Sequence, residues 1–122
     1  DYPASIHPFD WRLLTLLGKG KAPSPGLAAR QDRENPGWLL RYTARRLAAF
    51  GGETPPSGAY TAQEQALLLA LAECLEETAG SLPHARSLLR AAEAAWRVAP
   101  QRLPPRTALA ARRVLEQGLD SL

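Results

Sequence analysis

The sequence has no methionine, a single isoleucine and only two valines among its 122 residues. Strands favour β-branched residues because these pack well on a pleated surface, so this chain has very little from which to build a sheet. Its commonest residues are instead 22 alanines and 21 leucines, which lose little side-chain freedom in a helix. The composition therefore predicts an all-α protein.

The missing methionine also bears on the origin of the chain. A polypeptide that begins where its gene begins carries an initiator methionine, or loses it when a small residue follows. The first residue here is Asp1, which is large and acidic. We therefore expect residues 1–122 to form one helical domain of a longer protein, a length that suits a single domain.

Cysteine occurs once, at Cys74, inside a predicted helix. A lone cysteine cannot form an intrachain disulfide, and we expect a small buried hydrophobic side chain at this position. Its solitude favours a reducing compartment, so a cytoplasmic location is predicted, although a leader could already have been removed. No run approaches the roughly 20 apolar residues needed to span a bilayer, so no membrane span is predicted.

Proline and glycine divide the chain into a predicted single-domain bundle of about five helices. The predicted helices cover approximately residues 8–17, 36–50, 61–80, 81–99 and 104–119. Asn35 is a good N-cap before Pro36, and Thr61 with Glu64 forms a capping box. Residues 18–35 form a long Pro/Gly-rich loop after the first helix, with a short turn near Leu27–Arg30.

Helical spacing predicts which side chains face the core. The predicted core positions are Phe9, Leu13, Leu16, Leu17, Leu39, Tyr42, Leu47, Phe50, Leu88, Leu89, Ala92, Trp96, Ala108, Ala111, Leu115 and Leu119. Trp38 or Leu40 is expected at the core's edge. Residues 66–72 are apolar on all sides, which predicts that the third helix is the central one. Residues 1–34 either seal the bundle or cover a groove, and sealing is favoured for Phe9 and Leu13.

Few residues suggest catalysis. Glu73, Glu76 and Glu77 cluster near the end of the third helix, where negative charge is unfavourable, so an arginine partner is expected. His7 and His84 have no neighbours at the spacing of a metal site or a catalytic triad, so both are expected on the surface. The sequence thus predicts no enzyme, cofactor or metal site, with the glutamate cluster as the one residual catalytic candidate.

Arginine is the commonest charged residue, with 13 copies against two lysines and a net charge of +3. The candidates for binding phosphate or a partner lie on the second and fourth helices: Arg41, Arg45, Arg46, Arg86, Arg90 and Arg97. They would form one strip if the two helices shared a face. The simpler interpretation is a solvated face with internal ion pairs, since a charge of +3 is small for generic nucleic-acid binding.

Tryptophan is the remaining candidate for recognition, because it anchors many protein interfaces. Trp11 and Trp38 lie near helix ends and are the two interface candidates. The favoured function is a non-catalytic protein–protein interaction domain, whose partner is another protein or another domain of the parent chain. The alternative is a nucleic-acid-binding accessory domain that uses the arginine face. The sequence leaves the oligomeric state open.

Overall fold

A computed structural model of the chain describes residues 6–49, 62–98 and 105–122. Within these ranges every regular element is a helix, which confirms the all-α prediction. The helices are α1 (Pro8–Leu17), α2 (Pro25–Ala28), α3 (Pro36–Ala49), α4 (Ala62–Glu76), α5 (Leu82–Arg97) and α6 (Pro105–Ser121). The described count is six rather than five, because the one-turn helix α2 lies within the predicted loop.

The starts of α1 and α3 follow from local hydrogen bonding and proline geometry. The Nδ1 atom of His7 accepts from the Phe9 N–H at 3.1 Å, and desolvation lowers the pKa of His7, which favours the neutral ring that this bond requires. The Oδ1 atom of Asn35 accepts from the Gly37 N–H at 3.2 Å. Asn35 is therefore the N-cap of α3, as predicted, with Pro36 in the first helical position.

The junction between α4 and α5 departs from the prediction. α4 ends at Glu76 rather than at Gly80, where φ is +81°. Beyond Glu76 the backbone N–H groups bond elsewhere, because the Ser81 N–H donates to the carbonyl oxygen of Thr78 at 3.1 Å and so closes a turn instead of continuing the helix. The Gly80 N–H donates to Nδ1 of His84 at 3.2 Å, and His84 is buried, so its predicted surface location is wrong. Ser81 caps α5, whereas Phe50 and the capping-box residue Thr61 lie outside the described residues.

The central helix is α5 and not α4, so that prediction is wrong. α5 contacts α1, α3, α4 and α6, and four of its apolar side chains are fully buried. These four side chains are Ala85, Leu88, Ala91 and Ala92. Alanine lets neighbouring helices approach closely on several sides, whereas α4 directs large side chains such as Leu69 outward. Residues 66–72 of α4 are apolar on all sides, but one face of this stretch is exposed.

Most of the predicted core is confirmed. The buried members are Phe9, Leu13, Leu39, Leu47, Leu88, Ala92, Ala108, Ala111 and Leu115; Leu16, Leu17, Leu89, Trp96 and Leu119 are partly buried against them. Cys74 is buried as expected. One assignment on α3 is wrong, because Tyr42 is 38% exposed; of the two candidates for the core's edge, Trp38 is half-buried and Leu40 is fully buried. The inner face of α3 is formed by Leu39, Leu40, Ala44 and Leu47, which turns Tyr42 towards solvent.

The N-terminal half of the chain is held by a buried polar network. The Asp10 carboxylate, on α1, accepts from Arg41 Nε and Nη2 at 2.9 and 2.8 Å. Asn35 Nδ2 donates to Asp10 at 3.0 Å, and also to the carbonyl oxygens of Ala28 and Arg30. One carboxylate and one amide therefore connect α1, the 18–35 segment and α3. Phe9 and Leu13 lie in the core, as the predicted sealing role of α1 requires.

We expect Gly37→Ala to destabilise the protein by about 1–3 kcal/mol, the usual cost of overpacking a close contact. A Cβ atom on Gly37 would overlap the backbone and carboxylate of Asp10. Chemical denaturation followed by circular dichroism measures the change. Gly26→Ala is the matched control, because its Cβ meets only Ser24 Oγ at ordinary contact distance. Equal stability of the two variants would contradict the close α1–α3 approach.

Candidate interaction surfaces

An apolar groove of about 380 Å³ runs between α4 and α5. Its apolar lining consists of Ala66, Leu69, Ala70, Leu89 and Ala94. Three of these five residues are alanines, whose short side chains leave space between the two helices, and Leu69 lies beside this space with 65% of its surface exposed. A leucine this exposed next to a concave apolar surface is typical of a binding groove rather than of scattered surface hydrophobicity.

Charged side chains form the rim of the groove. Glu73 Oε2 accepts from Arg90 Nη2 at 2.8 Å, which confirms the predicted arginine partner for the glutamate cluster. Arg90 also donates to Ser87 at 3.0 Å. The other two rim residues, Glu93 and Arg97, form no ion pair within the described part of the chain. Two carboxylates and two guanidinium groups leave the rim without net charge.

The outward face of α4 continues this surface. Between Ala62 and Ala72 no charged side chain is exposed, because Glu64, the charged residue in this interval, is buried. Leu75, one turn beyond, is 72% exposed but does not line the groove. α4 therefore presents an uncharged face with Leu69 near its middle.

A second surface combines aromatic rings and guanidinium groups where α3 meets the end of α5. Trp38 and Tyr42 stack with ring centroids 4.7 Å apart and an angle of 9° between their planes. Trp96 lies 5.4 Å from Tyr42 and 6.0 Å from Trp38. The guanidinium carbons of Arg33 and Arg46 lie 5.3 and 5.6 Å from the Trp96 ring centroid, within cation–π range. We call these five residues the aromatic–arginine patch.

The structure does not join the six predicted arginines into one strip. Arg41 faces α1 and pairs with Asp10, and Arg90 faces α4 and pairs with Glu73. Arg46 lies over Trp96. The remaining members, Arg45, Arg86 and Arg97, are exposed on separate parts of α3 and α5.

The other predicted candidates have mixed surroundings. Trp38 belongs to the aromatic–arginine patch. Trp11 is partly buried against the cluster of Ile6, Leu14 and Ala28, and it borders a shallow cavity of about 560 Å³ with the basic residues Arg12 and Lys19. Glu76 and Glu77 are exposed. Among the described residues no three His, Cys, Asp or Glu side chains lie together as a metal site would require.

The sequence did not single out Leu69 of the groove or Arg33 of the aromatic–arginine patch. Leu69 falls in the stretch that is apolar on all sides, and this pattern is compatible with either a central helix or one with an interface on its outer face. Arg33 precedes α3 with no periodic pattern around it, so no sequence signal predicts its position over Trp96. The α4–α5 groove depends on how two helices are placed against each other.

The chain matches no family model, no curated protein and no solved structure. In the part of the chain that the structure describes, none of the helices has the length and apolar character required to cross a membrane.

Burial raises the pKa of the Cys74 thiol from its ordinary value of 9.0 to about 11. The unfolded thiol ionises near pH 9 while the folded thiol keeps its proton, so the contribution of Cys74 to stability falls as the pH rises from about 9 to about 11. Below pH 9 this contribution is fully present. We expect wild type to lose stability relative to Cys74→Ala across this interval in denaturation experiments. A constant difference between the two proteins would contradict the raised pKa.

Proposed function

We propose that this chain is a non-catalytic interaction domain of a longer protein, and that its partner docks in the α4–α5 groove. The partner is another protein or another domain of the parent chain. The observation that carries the proposal is the 65% exposure of Leu69 on an uncharged helix face beside a concave apolar surface. A reducing compartment such as the cytoplasm suits the single buried thiol.

The groove suits an amphipathic helix as the docking element. Such helices place apolar side chains at i, i+3, i+4 and i+7 into grooves of this kind. Burying an exposed leucine contributes about 1.5–3 kcal/mol, and alanines in the groove allow the two backbones to approach closely. Glu93 and Arg97 at the rim are placed to select the register of a bound helix by charge.

Several observations favour a binding role over catalysis. Glu73, the one member of the glutamate cluster that lines the groove, is neutralised by Arg90. The Cys74 thiol has a raised pKa and is protonated at neutral pH, unlike an activated nucleophile. His84 is buried, and its Nδ1 accepts from a backbone N–H.

The test is partner capture by the full chain carrying an affinity tag, compared with its Leu69→Glu variant. We expect Leu69→Glu to remove a specific set of captured proteins, because a buried carboxylate without a partner is strongly unfavourable in an apolar groove. Quantitative mass spectrometry measures the captured proteins. Circular dichroism should show an unchanged fold, since the position is exposed.

Leu75→Glu is the matched control, because it makes the same change on an equally exposed leucine of the same helix, outside the groove. It should leave the captured set intact. If both variants lose the same proteins, the capture reflects general surface hydrophobicity. If neither loses any, the groove is not the docking surface.

Nucleic-acid binding is a second candidate function, supported by the aromatic–arginine patch. Exposed aromatic rings beside arginines are typical of surfaces that stack single-stranded bases. Tyr42 is 38% exposed, and Arg33 and Arg46 flank Trp96. Carboxylates lie close to the patch, however, because Glu93 and Arg33 line a common cavity with Asp32 and Glu34. These carboxylates oppose phosphate binding, which places this function second.

This candidate predicts that single-stranded DNA or RNA quenches tryptophan fluorescence at low salt. Arg46→Gln should lower the salt dependence of the affinity by about one unit of log–log slope, as loss of one phosphate contact does. Arg86→Gln is the control, since Arg86 is exposed near the other end of α5. No binding at low salt, or equal effects of the two variants, would rule out the patch as a nucleic-acid site.

A further inference from the structure

We infer that the shallow cavity beside Trp11 is a further docking surface, and that its occupant is an acidic amphipathic helix of a partner protein. The cavity is lined by Trp11, Arg12, Thr15, Leu16, Lys19 and Gly20, and we call it the α1 cavity. It shares no residue with the α4–α5 groove, so the two surfaces can be tested independently. The charge of the cavity, the unpaired state of its two cations and their spacing along α1 together indicate this occupant.

The apolar part of the α1 cavity is formed by Trp11 and Leu16. The cavity has a volume of about 560 Å³ and lies along one face of α1 and the turn that follows it. Trp11 is half-buried, because it packs against Ile6, Leu14 and Ala28, so the neighbouring side chains hold its ring in place. A tryptophan held in place beside a concave surface is typical of the side chains that anchor protein interfaces.

The charge of the α1 cavity differs from that of the other two cavities described above. Its charged side chains are Arg12 and Lys19, and no carboxylate of the described residues lines it. The α4–α5 groove has two carboxylates and two guanidinium groups at its rim, and the cavity beside Arg33 has three carboxylates. The α1 cavity is therefore the cationic one of these three, and a complementary partner carries carboxylates beside its apolar side chains.

Both cations of the α1 cavity are free to meet a partner. Arg12 and Lys19 are exposed, and neither forms an ion pair with any residue in the ranges that the structure describes. Lys19 is also not required to cap α1. The carbonyl oxygens of Leu14, Thr15 and Leu16 already accept from backbone N–H groups of the turn that follows the helix.

The spacing of the two cations indicates a helix as the occupant. Positions 12 and 19 are seven residues apart, which corresponds to about two helical turns or roughly 10 Å along α1. Leu16 lies between them. A partner helix that lies along α1 repeats its side chains at the same interval, so its carboxylates at i and i+7 can meet Arg12 and Lys19. Its apolar side chains at i+3 and i+4 then cover Trp11 and Leu16.

The combination of apolar and basic side chains favours this helix over phosphate-bearing partners. A phosphate backbone would engage Arg12 and Lys19 but would leave Trp11 and Leu16 uncovered. A flat anionic bilayer would meet the two cations without filling the concave surface between them. A helix that carries both carboxylates and leucines is complementary to all four side chains.

Isothermal titration calorimetry of the full chain with a synthetic peptide tests this surface. The peptide is an alanine-based helix of about 20 residues with glutamate at i and i+7 and leucine at i+3 and i+4. We expect saturable binding at about 0.15 M salt, where charges more than about 8 Å apart are largely screened. The double variant Arg12→Glu/Lys19→Glu should raise the Kd by about ten-fold or more, because two attractive pairs become repulsive.

Lys21→Glu is the matched control, because Lys21 is exposed close to Lys19 but does not line the α1 cavity. It should raise the Kd much less than the double variant does. The variants change exposed side chains, so circular dichroism should show an unchanged fold. No binding of the glutamate peptide, or an equal effect of Lys21→Glu, would overturn the inference.

A charge-swapped peptide tests the contact itself. With lysine in place of both glutamates, the peptide should bind the wild-type chain weakly and the Arg12→Glu/Lys19→Glu variant tightly. Recovery of affinity when both sides are reversed is evidence of direct pairing. A peptide with glutamates at i and i+5 carries them on different faces of the helix, so it should bind the wild-type chain weakly. Equal affinity of the i+5 and i+7 peptides, or no recovery in the swapped pair, would contradict the docked helix.

Two further outcomes separate this surface from its alternatives. Leu69→Glu should leave the Kd of the glutamate peptide unchanged, and a peptide whose binding depends on Leu69 instead occupies the α4–α5 groove and overturns the inference. Phosphatidylserine vesicles or single-stranded DNA may be offered in place of the peptide. If either binds with a dependence on Arg12 and Lys19 while the peptide does not, the cavity belongs to a phosphate-bearing partner and the helix is rejected.

Discussion

The buried Asp10 carboxylate determines how the N-terminal part of this chain is arranged. It is 2% exposed and accepts two hydrogen bonds from Arg41 and one from Asn35. Removing either partner would leave a buried charge without full compensation, which is far less favourable than an intact pair. Gly37 allows the backbones of α1 and α3 to approach closely enough for this contact. The relative position of the two helices therefore depends on one network of three side chains and a glycine.

This arrangement also leaves the α4 surface exposed. With α1 held against α3, both helices pack on one part of α5, while α6 and α4 cover the remainder. α5 is thereby enclosed, and its alanines and Leu88 become the middle of the core. α4 packs along α5 and more lightly on α6, so its outer face and the groove beside it stay open. The N-terminal network helps to place α5 at the centre of the bundle. The outer face of α4 and the groove beside it stay open as a consequence.

Local signals in the sequence predict the helices well, but they do not predict how the helices assemble. The Asn35 cap and the Ser81 start are short-range features that the structure confirms. The misplaced predictions of the central helix, of Tyr42 and of the arginine strip involve distant partners, whereas the end of α4 and the burial of His84 involve a local contact with Gly80. In the sequence Arg41 and Arg45 lie four residues apart and look equivalent. In the structure Arg41 pairs with the carboxylate of Asp10, 31 residues away along the chain, whereas Arg45 is exposed. An apolar α4 and an alanine-rich α5 are equally plausible as central helices until the other helices are placed around them. The α4–α5 groove exists only once the helices are packed together. The sequence could therefore place Trp38 at the edge of the core, but it could not identify Leu69 as a residue of the groove.

The arginine-rich composition is explained to a large extent by the fold itself. Arg41, Arg90 and Arg112 pair with carboxylates, Arg30 pairs with Asp32 and lowers the pKa of that carboxyl, and Arg33 and Arg46 lie over Trp96. Planar guanidinium groups suit these bidentate and stacked contacts better than lysine ammonium groups do. Arginines that are engaged in such contacts are less available to a phosphate backbone. This agrees with our proposal that the uncharged face of α4 contacts another folded protein.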